Sequence, residues 1–100
     1  MKDKVVLDLG CGSGDHSLYF KESGLEVTSI DLSEEMIKLC KNKGLNAFLM
    51  DIEDLKFKHG SFDVITLFQT IEHIENPLKT LKKIYSLLRK GGILVITTPN

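Results

Sequence analysis

The residues that could do chemistry cluster at turns that follow apolar runs. Val5-Val6-Leu7 leads into Asp8, and Gly10, Gly12 and Gly14 come straight after it in VVLDLGCGSGDHSLYF. Asp31 and Asp51 close two further apolar runs, at 26–30 and 46–50. A carboxylate at the end of a buried segment needs a partner, because an unpaired buried charge is costly. Alternating glycines present main chain without Cβ atoms, so a ligand can reach the peptide groups. One aspartate after a strand is an ordinary turn or cap residue. Three of them beside a glycine loop point to a binding edge.

Holding such a set together takes alternating strands and helices. Val5-Val6-Leu7 reads as a first strand closed by Asp8, 13–23 as a helix with Gly24 past its end, and 26–30 as a second strand. Ser33 reads as a helix N-cap, with Glu34 and Glu35 against the positive helix end. Met36, Ile37, Leu39 and Cys40 form that helix's apolar face, and Gly44 stops it. A third strand follows at 46–50 and a fourth, the most apolar of the four, at 62–68. The stretch 52–61 lacks helical periodicity and reads as a loop. Asn76-Pro77 starts a third helix with Leu78, Leu81, Ile84, Tyr85 and Leu88 as its buried stripe. Residues 93–97 form a fifth strand. Strands separated by helices imply right-handed crossovers, hence an α/β fold with a parallel sheet covered on both faces. Ligands in such sheets bind at the carboxyl ends of the strands, where the three aspartates and the glycine loop fall.

The glycine loop opens a helix whose first N–H groups face outward. Asp31 lies at the distance where an acid takes two ribose hydroxyls, about 20 residues past such a loop. Asp51 can accept from an adenine amino group. Two nucleoside ligands compete. A nicotinamide dinucleotide brings a pyrophosphate and the fingerprint G-x-G-x-x-G, but Asp15 stands where the third glycine would be, and Asp8 repels phosphate. S-adenosylmethionine brings a sulfonium and an ammonium, for which Asp8 is a favourable neighbour. Opposite charges about 4 Å apart gain roughly 4 kcal/mol at an effective dielectric near 20, before desolvation. The sign of that interaction favours the adenosyl ligand.

The chain resembles the class I S-adenosylmethionine-dependent methyltransferases, in their small-molecule, quinone-biosynthesis-like branch. VLDLGCGSG is similar to the family's first motif, SIDLSEEMI to its second, and MDIEDLKF to the stretch that contacts adenine. SFDVITLFQTIEHIENP is similar to the fourth-strand motif, and LLRKGGILVITTPN to the approach to the fifth strand. The resemblance implies a cofactor site in which Asp8, Gly10, Cys11, Gly12 and Gly14 surround the methionyl part. It places Asp31, Leu32 and Met36 on the ribose and one adenine face, and Asp51 and Ile52 at the adenine edge. The backbone of Phe68 and Gln69 would meet the amino group. It also implies a Rossmann-like doubly wound parallel sheet, five strands in order 3-2-1-4-5, lacking the family's last two strands. Lys90 departs from the family in standing where proline usually precedes the paired glycines.

The expected function is methyl transfer to a small-molecule acceptor, with S-adenosylhomocysteine as product. The alternatives are a non-catalytic adenosyl-binding module or fragment that needs a partner, and an NAD-binding oxidoreductase domain. The catalytic residues are not identified. His73, past the fourth strand, suits proton removal from an acceptor, and it equally suits a loop turn with Glu72. His16 and His59 read as structural or solvated, Cys40 as core, and Cys11 as a matter of shape. Lys41, Lys43, Arg89 and Lys90 read as solvated helix ends. No spacing resembles a metal site.

The 100 residues fit one domain spanning 1–100, with 42% hydrophobic and 27% charged residues. A net charge of -1 gives no electrostatic footprint for nucleic acid or an anionic membrane. Two cysteines, no signal peptide and no membrane-spanning stretch suggest a cytoplasmic setting. The fifth strand, ILVITT, is apolar on both faces like an interior strand. At a sheet edge it predicts a cover, supplied by a second copy, a partner chain or further sequence.

Overall fold

The computed structural model describes residues 3–68 and 74–97. Its elements run β1 (Val5–Leu9), α1 (Asp15–Glu22), β2 (Glu26–Asp31), α2 (Glu34–Asn42), β3 (Asn46–Leu49), β4 (Phe62–Phe68), α3 (Pro77–Leu87) and β5 (Leu88–Thr97). All strand pairings are parallel. The strands make one five-stranded sheet in the order β3-β2-β1-β4-β5. This is the Rossmann-like doubly wound arrangement expected from the sequence. The chain starts at the centre, winds outward through β2 and β3, and returns to the other side of β1 as β4. That reversal opens a crevice between the carboxyl ends of β1 and β4.

Burial follows from the winding. Val6, Leu7 and Leu9 of β1, and Ile65 and Leu67 of β4, are almost wholly enclosed. One cluster packs Leu7, Leu9, Ile30, Ile65 and Leu67 with Ile84 and Leu87 of α3. On α2, Ile37 and Cys40 pack with Cys11, Leu45 and Ala47. Ser33 caps α2 by accepting from the Met36 N–H at 3.2 Å, and Asn76 caps α3 by accepting from the Lys79 N–H at 3.2 Å. Gly24 and Gly44 end their helices at positive φ, 93° and 78°, a conformation that glycine adopts without steric cost.

Four expectations need correction. β1 runs on to Leu9, so Asp8 lies inside the strand rather than closing it. Leu78 and Tyr85 of α3 are exposed, because the helix turns Thr80, Ile84 and Leu87 to the sheet. β5 begins at Leu88, directly after α3, and Leu88 pairs Phe62 while Ile93 pairs Val64. The extra residues bulge out, and Gly92 sits where a Cβ would lie 2.9 Å from the carbonyl oxygens of Arg89 and Asp63. The solvated helix ends fail in two places: Lys43 Nζ donates to the Ser13 carbonyl at 2.7 Å and meets Asp15 at 3.2 Å, while Arg89 and Lys90 lie in β5, where Arg89 donates to Asp63 at 2.8 Å.

As an edge strand, β5 leaves Ile93, Val95 and Ile96 exposed. Beside them an apolar groove of about 230 Å³ runs over Val64, Phe68, Ile93 and Val95. No helix among the described residues is long and apolar enough to cross a membrane.

Candidate functional site

The site is built on the turn from β1 to α1. Gly10, Gly12 and Gly14 all take positive φ, 72°, 57° and 92°. The turn is held by its own main chain: the Gly10 and Cys11 N–H groups both donate to the Ile30 carbonyl, at 3.0 and 2.9 Å. Gly14 is the N-cap of α1 and brings no side-chain bond to it. A Cβ on Gly14 would lie 2.7 Å from Leu45 Cδ1 and 2.9 Å from Cys40 Sγ, whereas one on Gly12 would meet nothing within 4 Å. Gly14 is therefore required by packing, and Gly12 borders open space.

Asp31 ends β2 beside this loop. Its Oδ2 accepts the Gly12 N–H at 2.9 Å, and its Oδ1 accepts the Ser33 N–H at 2.9 Å. The carboxylate thus ties the loop to the start of α2. Each oxygen keeps a further lone pair for an incoming hydroxyl. Next to it Leu32 is 65% exposed, a large apolar side chain left uncovered, and Met36 is half-buried.

Asp8 sits beneath the loop and is almost wholly enclosed. Its register neighbours are Ser29 on β2 and Thr66 on β4. Thr66 donates to Oδ1 at 2.9 Å, Ser17 donates to Oδ2 at 2.6 Å, and Ser17 and Ser29 are hydroxyl to hydroxyl at 2.7 Å. Burial pushes the Asp8 carboxyl up from its ordinary value, against the pull of the Ser17 and Thr66 hydrogen bonds. Among the described residues no buried side-chain polar atom lacks a partner. Ser17, Ser29 and Thr66 were not singled out from the sequence. The available signal was a hydroxyl interrupting each of two apolar strands, at the position facing Asp8.

Asp51 lies in the loop after β3, and its Oδ1 accepts the Glu53 N–H at 2.8 Å. Ile52 packs against the main core. Phe68 ends β4, with its ring 4.7 Å from that of His16 in α1. Glycine loop, Asp31, Leu32 and Met36 are thus brought together, and Asp51 and Phe68 flank them at the ends of neighbouring strands. Gln69, Glu72 and His73 lie outside the described residues. A concavity of about 640 Å³ lies between the 52–55 loop and α3 and shares Ile52 with this set. The candidate site is therefore defined by its polar groups and not by that hollow. Among the described residues no group of three or more His, Cys, Asp or Glu could hold a metal ion.

Comparison with known proteins agrees with this geometry. The methyltransferase domain family matches residues 7–96. The ubiquinone biosynthesis O-methyltransferase of Xanthomonas campestris is 36% identical over 102 residues, covering 95% of this chain and 43% of that protein. Its counterpart in Coxiella burnetii is 36% identical over 106 residues, covering 100% and 45%. The crystal structure of an S-adenosylmethionine dependent methyltransferase from Mesorhizobium loti aligns with a TM-score of 0.92 at 25% identity, over 97% of this chain and 47% of that one. The chain spans less than half the length of the curated relatives it matches. With the family match running over nearly all of the sheet and the glycine loop, this chain belongs to the methyltransferase domain family.

Proposed function

We propose that the chain is the cofactor-binding core of an S-adenosylmethionine-dependent methyltransferase that acts on a small-molecule acceptor in the cytoplasm. One observation carries the reading: the open side of Gly12 adjoins a strand-end carboxylate, Asp31, with the uncovered apolar Leu32 beside it. That set suits a ribose, an adenine face and a main-chain-hugging methionyl group. When bound, S-adenosylmethionine supplies a sulfonium methyl for in-line displacement, leaving S-adenosylhomocysteine. The chain's part is to bind and orient. Asp31 accepts the ribose hydroxyls, Leu32 and Met36 pack on adenine, and Asp51 and Ile52 border its edge. Gly10, Cys11, Gly12 and Gly14 let the methionyl part lie close to the main chain. The Phe68 backbone faces the amino group. Asp8 acts from below the loop as a buried acidic group, its two oxygens held by Ser17 and Thr66.

A dinucleotide fits the same rim less well. Asp15 in the first turn of α1 would face its pyrophosphate with like charge. Calorimetric titration with S-adenosylmethionine, S-adenosylhomocysteine and NAD separates the ligands. Binding of the two adenosyl compounds without NAD supports the proposal, and NAD binding alone rejects it.

A second reading is favoured by the apolar groove beside β5. There the chain binds the adenosyl ligand but needs a cover, a second copy or a partner chain over the β5 edge, to complete an acceptor pocket. Turnover of a phenolic acceptor by the chain alone, followed as S-adenosylhomocysteine release, favours the first reading. Ligand binding without turnover favours the second.

A further inference from the structure

Cys11 and Cys40 are far apart in sequence but adjacent in the fold. Cys11 lies within the glycine loop and Cys40 on α2, both buried as free thiols. Their sulfurs are 3.6 Å apart. Both point at the Gly12 carbonyl, Cys40 Sγ at 3.2 Å and Cys11 Sγ at 3.6 Å. The Gly12 N–H, on the other side of the same residue, is bonded to Asp31. The dithiol and the proposed ribose acid therefore share one glycine.

We propose that Cys11 and Cys40 form a redox-modified dithiol, which a peroxide converts to a disulfide that distorts the glycine loop and weakens the adenosyl ligand. The coupling to ligand rests on the cofactor reading above. The disulfide needs no second chain. One thiol attacks the peroxide, breaking the O–O bond and releasing water, and becomes a sulfenic acid. The second thiol displaces that hydroxyl, releasing a second water. Two thiols and one hydrogen peroxide thus give one disulfide and two waters. The sulfurs must close to about 2.0 Å. Closing the pair moves the loop, where Gly10 and Gly12 flank Cys11, against its main-chain bonds to Ile30 and Asp31, because Cys40 is set in α2 and packed with Leu45. Closing the pair pulls on Gly12 and hence on the bond from its N–H to Asp31. Burial pushes both thiols up from their ordinary range, so the reaction waits on opening of the loop. A ligand that holds the loop shut slows it, and by linkage the disulfide must weaken that ligand.

The test treats the full chain with hydrogen peroxide and reads two independent quantities. Peptide mass mapping reports whether 11 and 40 are joined, with loss of two hydrogens. Calorimetric titration with S-adenosylhomocysteine reports affinity before oxidation, after it, and after dithiothreitol. The expected result is an 11–40 linkage, affinity weaker by about tenfold, and recovery on reduction. Cys40→Ser should bind like wild type and keep its affinity after peroxide, and Cys40→Ala replaces it should the serine unfold the core. Saturating S-adenosylhomocysteine should slow the linkage. Separate sulfinic acids with no linkage overturn the dithiol, and a linkage with unchanged affinity overturns the coupling. A reduced chain that ignores S-adenosylhomocysteine overturns the cofactor reading and the coupling together, while the peptide masses still decide the dithiol.

Discussion

Gly12 donates its main-chain N–H to the Asp31 carboxylate at 2.9 Å, 19 residues further along the chain. This bond joins the β1–α1 turn to the end of β2, the two places that the proposed nucleoside site spans. It also fixes the Asp31 carboxylate before any ligand arrives, so little ordering is left for binding to supply.

Asp31→Ala should weaken S-adenosylhomocysteine by about 1–3 kcal/mol, the cost of leaving buried ribose hydroxyls without a charged acceptor. Calorimetric titration measures it. The same change frees two main-chain N–H groups, Gly12 and Ser33, so a lower melting temperature should accompany the lost affinity.

The glycines should separate by mechanism. Gly14→Ala forces a Cβ against Leu45 and Cys40 at positive φ. Left-handed strain of about 1–2 kcal/mol and overpacking of about 1–3 kcal/mol should lower unfolding stability in a urea titration. Gly12→Ala meets no atom in the free chain and should cost stability only through its φ, about 1–2 kcal/mol. Its larger effect should be on S-adenosylhomocysteine affinity, because the methyl group occupies the open side of the loop.

Asp8 has a definite pH signature. Its folded pKa is raised by burial, so the folded chain holds the proton more tightly than the unfolded one. Stability attributable to Asp8 is then highest below the unfolded carboxylate value and falls as pH rises through the window up to the folded value. Asp8→Asn removes the titration while its amide still accepts one hydroxyl hydrogen bond and donates another. The difference in melting temperature, variant minus wild type, should grow in the variant's favour from about pH 4 upward.

Asp63 has the opposite sign. Its Oδ2 accepts the Val5 N–H at 2.9 Å and an Arg89 guanidinium N–H at 2.8 Å. The bond from Val5 first, with Arg89 and Lys4 adding, holds its carboxyl below the ordinary value. Its stabilisation is therefore present above the unfolded pKa and lost as pH falls through the folded one. Asp63→Asn should lower the melting temperature near neutral pH, and the gap to wild type should close in acid.

Much of this was legible in the sequence, and the failures have physical causes. Apolar runs, helical apolar patterns, Gly24, Gly44, Ser33 and Asn76-Pro77 located the elements, and their alternation implied a parallel sheet, while the strand order followed from the family resemblance. The glycine run and Asp31 marked the rim, because few other roles need those residues at those places. What the sequence could not reveal was register across the sheet. Asp8 reads as a strand end when its partners are unknown, and Ser17, Ser29 and Thr66 become its partners only when β2 and β4 flank β1. Gly91-Gly92 reads as a loop, yet the bulge it allows lets β5 begin at Leu88. The Cys11–Cys40 contact joins a loop to a helix and leaves no local trace.

The most direct test is a crystal structure of the chain soaked with S-adenosylhomocysteine. Density should lie across the carboxyl ends of β1 and β2, with both ribose hydroxyls in hydrogen-bond contact with Asp31 and the homocysteine part against Gly12. A rim left empty by that compound while NAD binds there, with its pyrophosphate on the glycine loop, would contradict the cofactor reading.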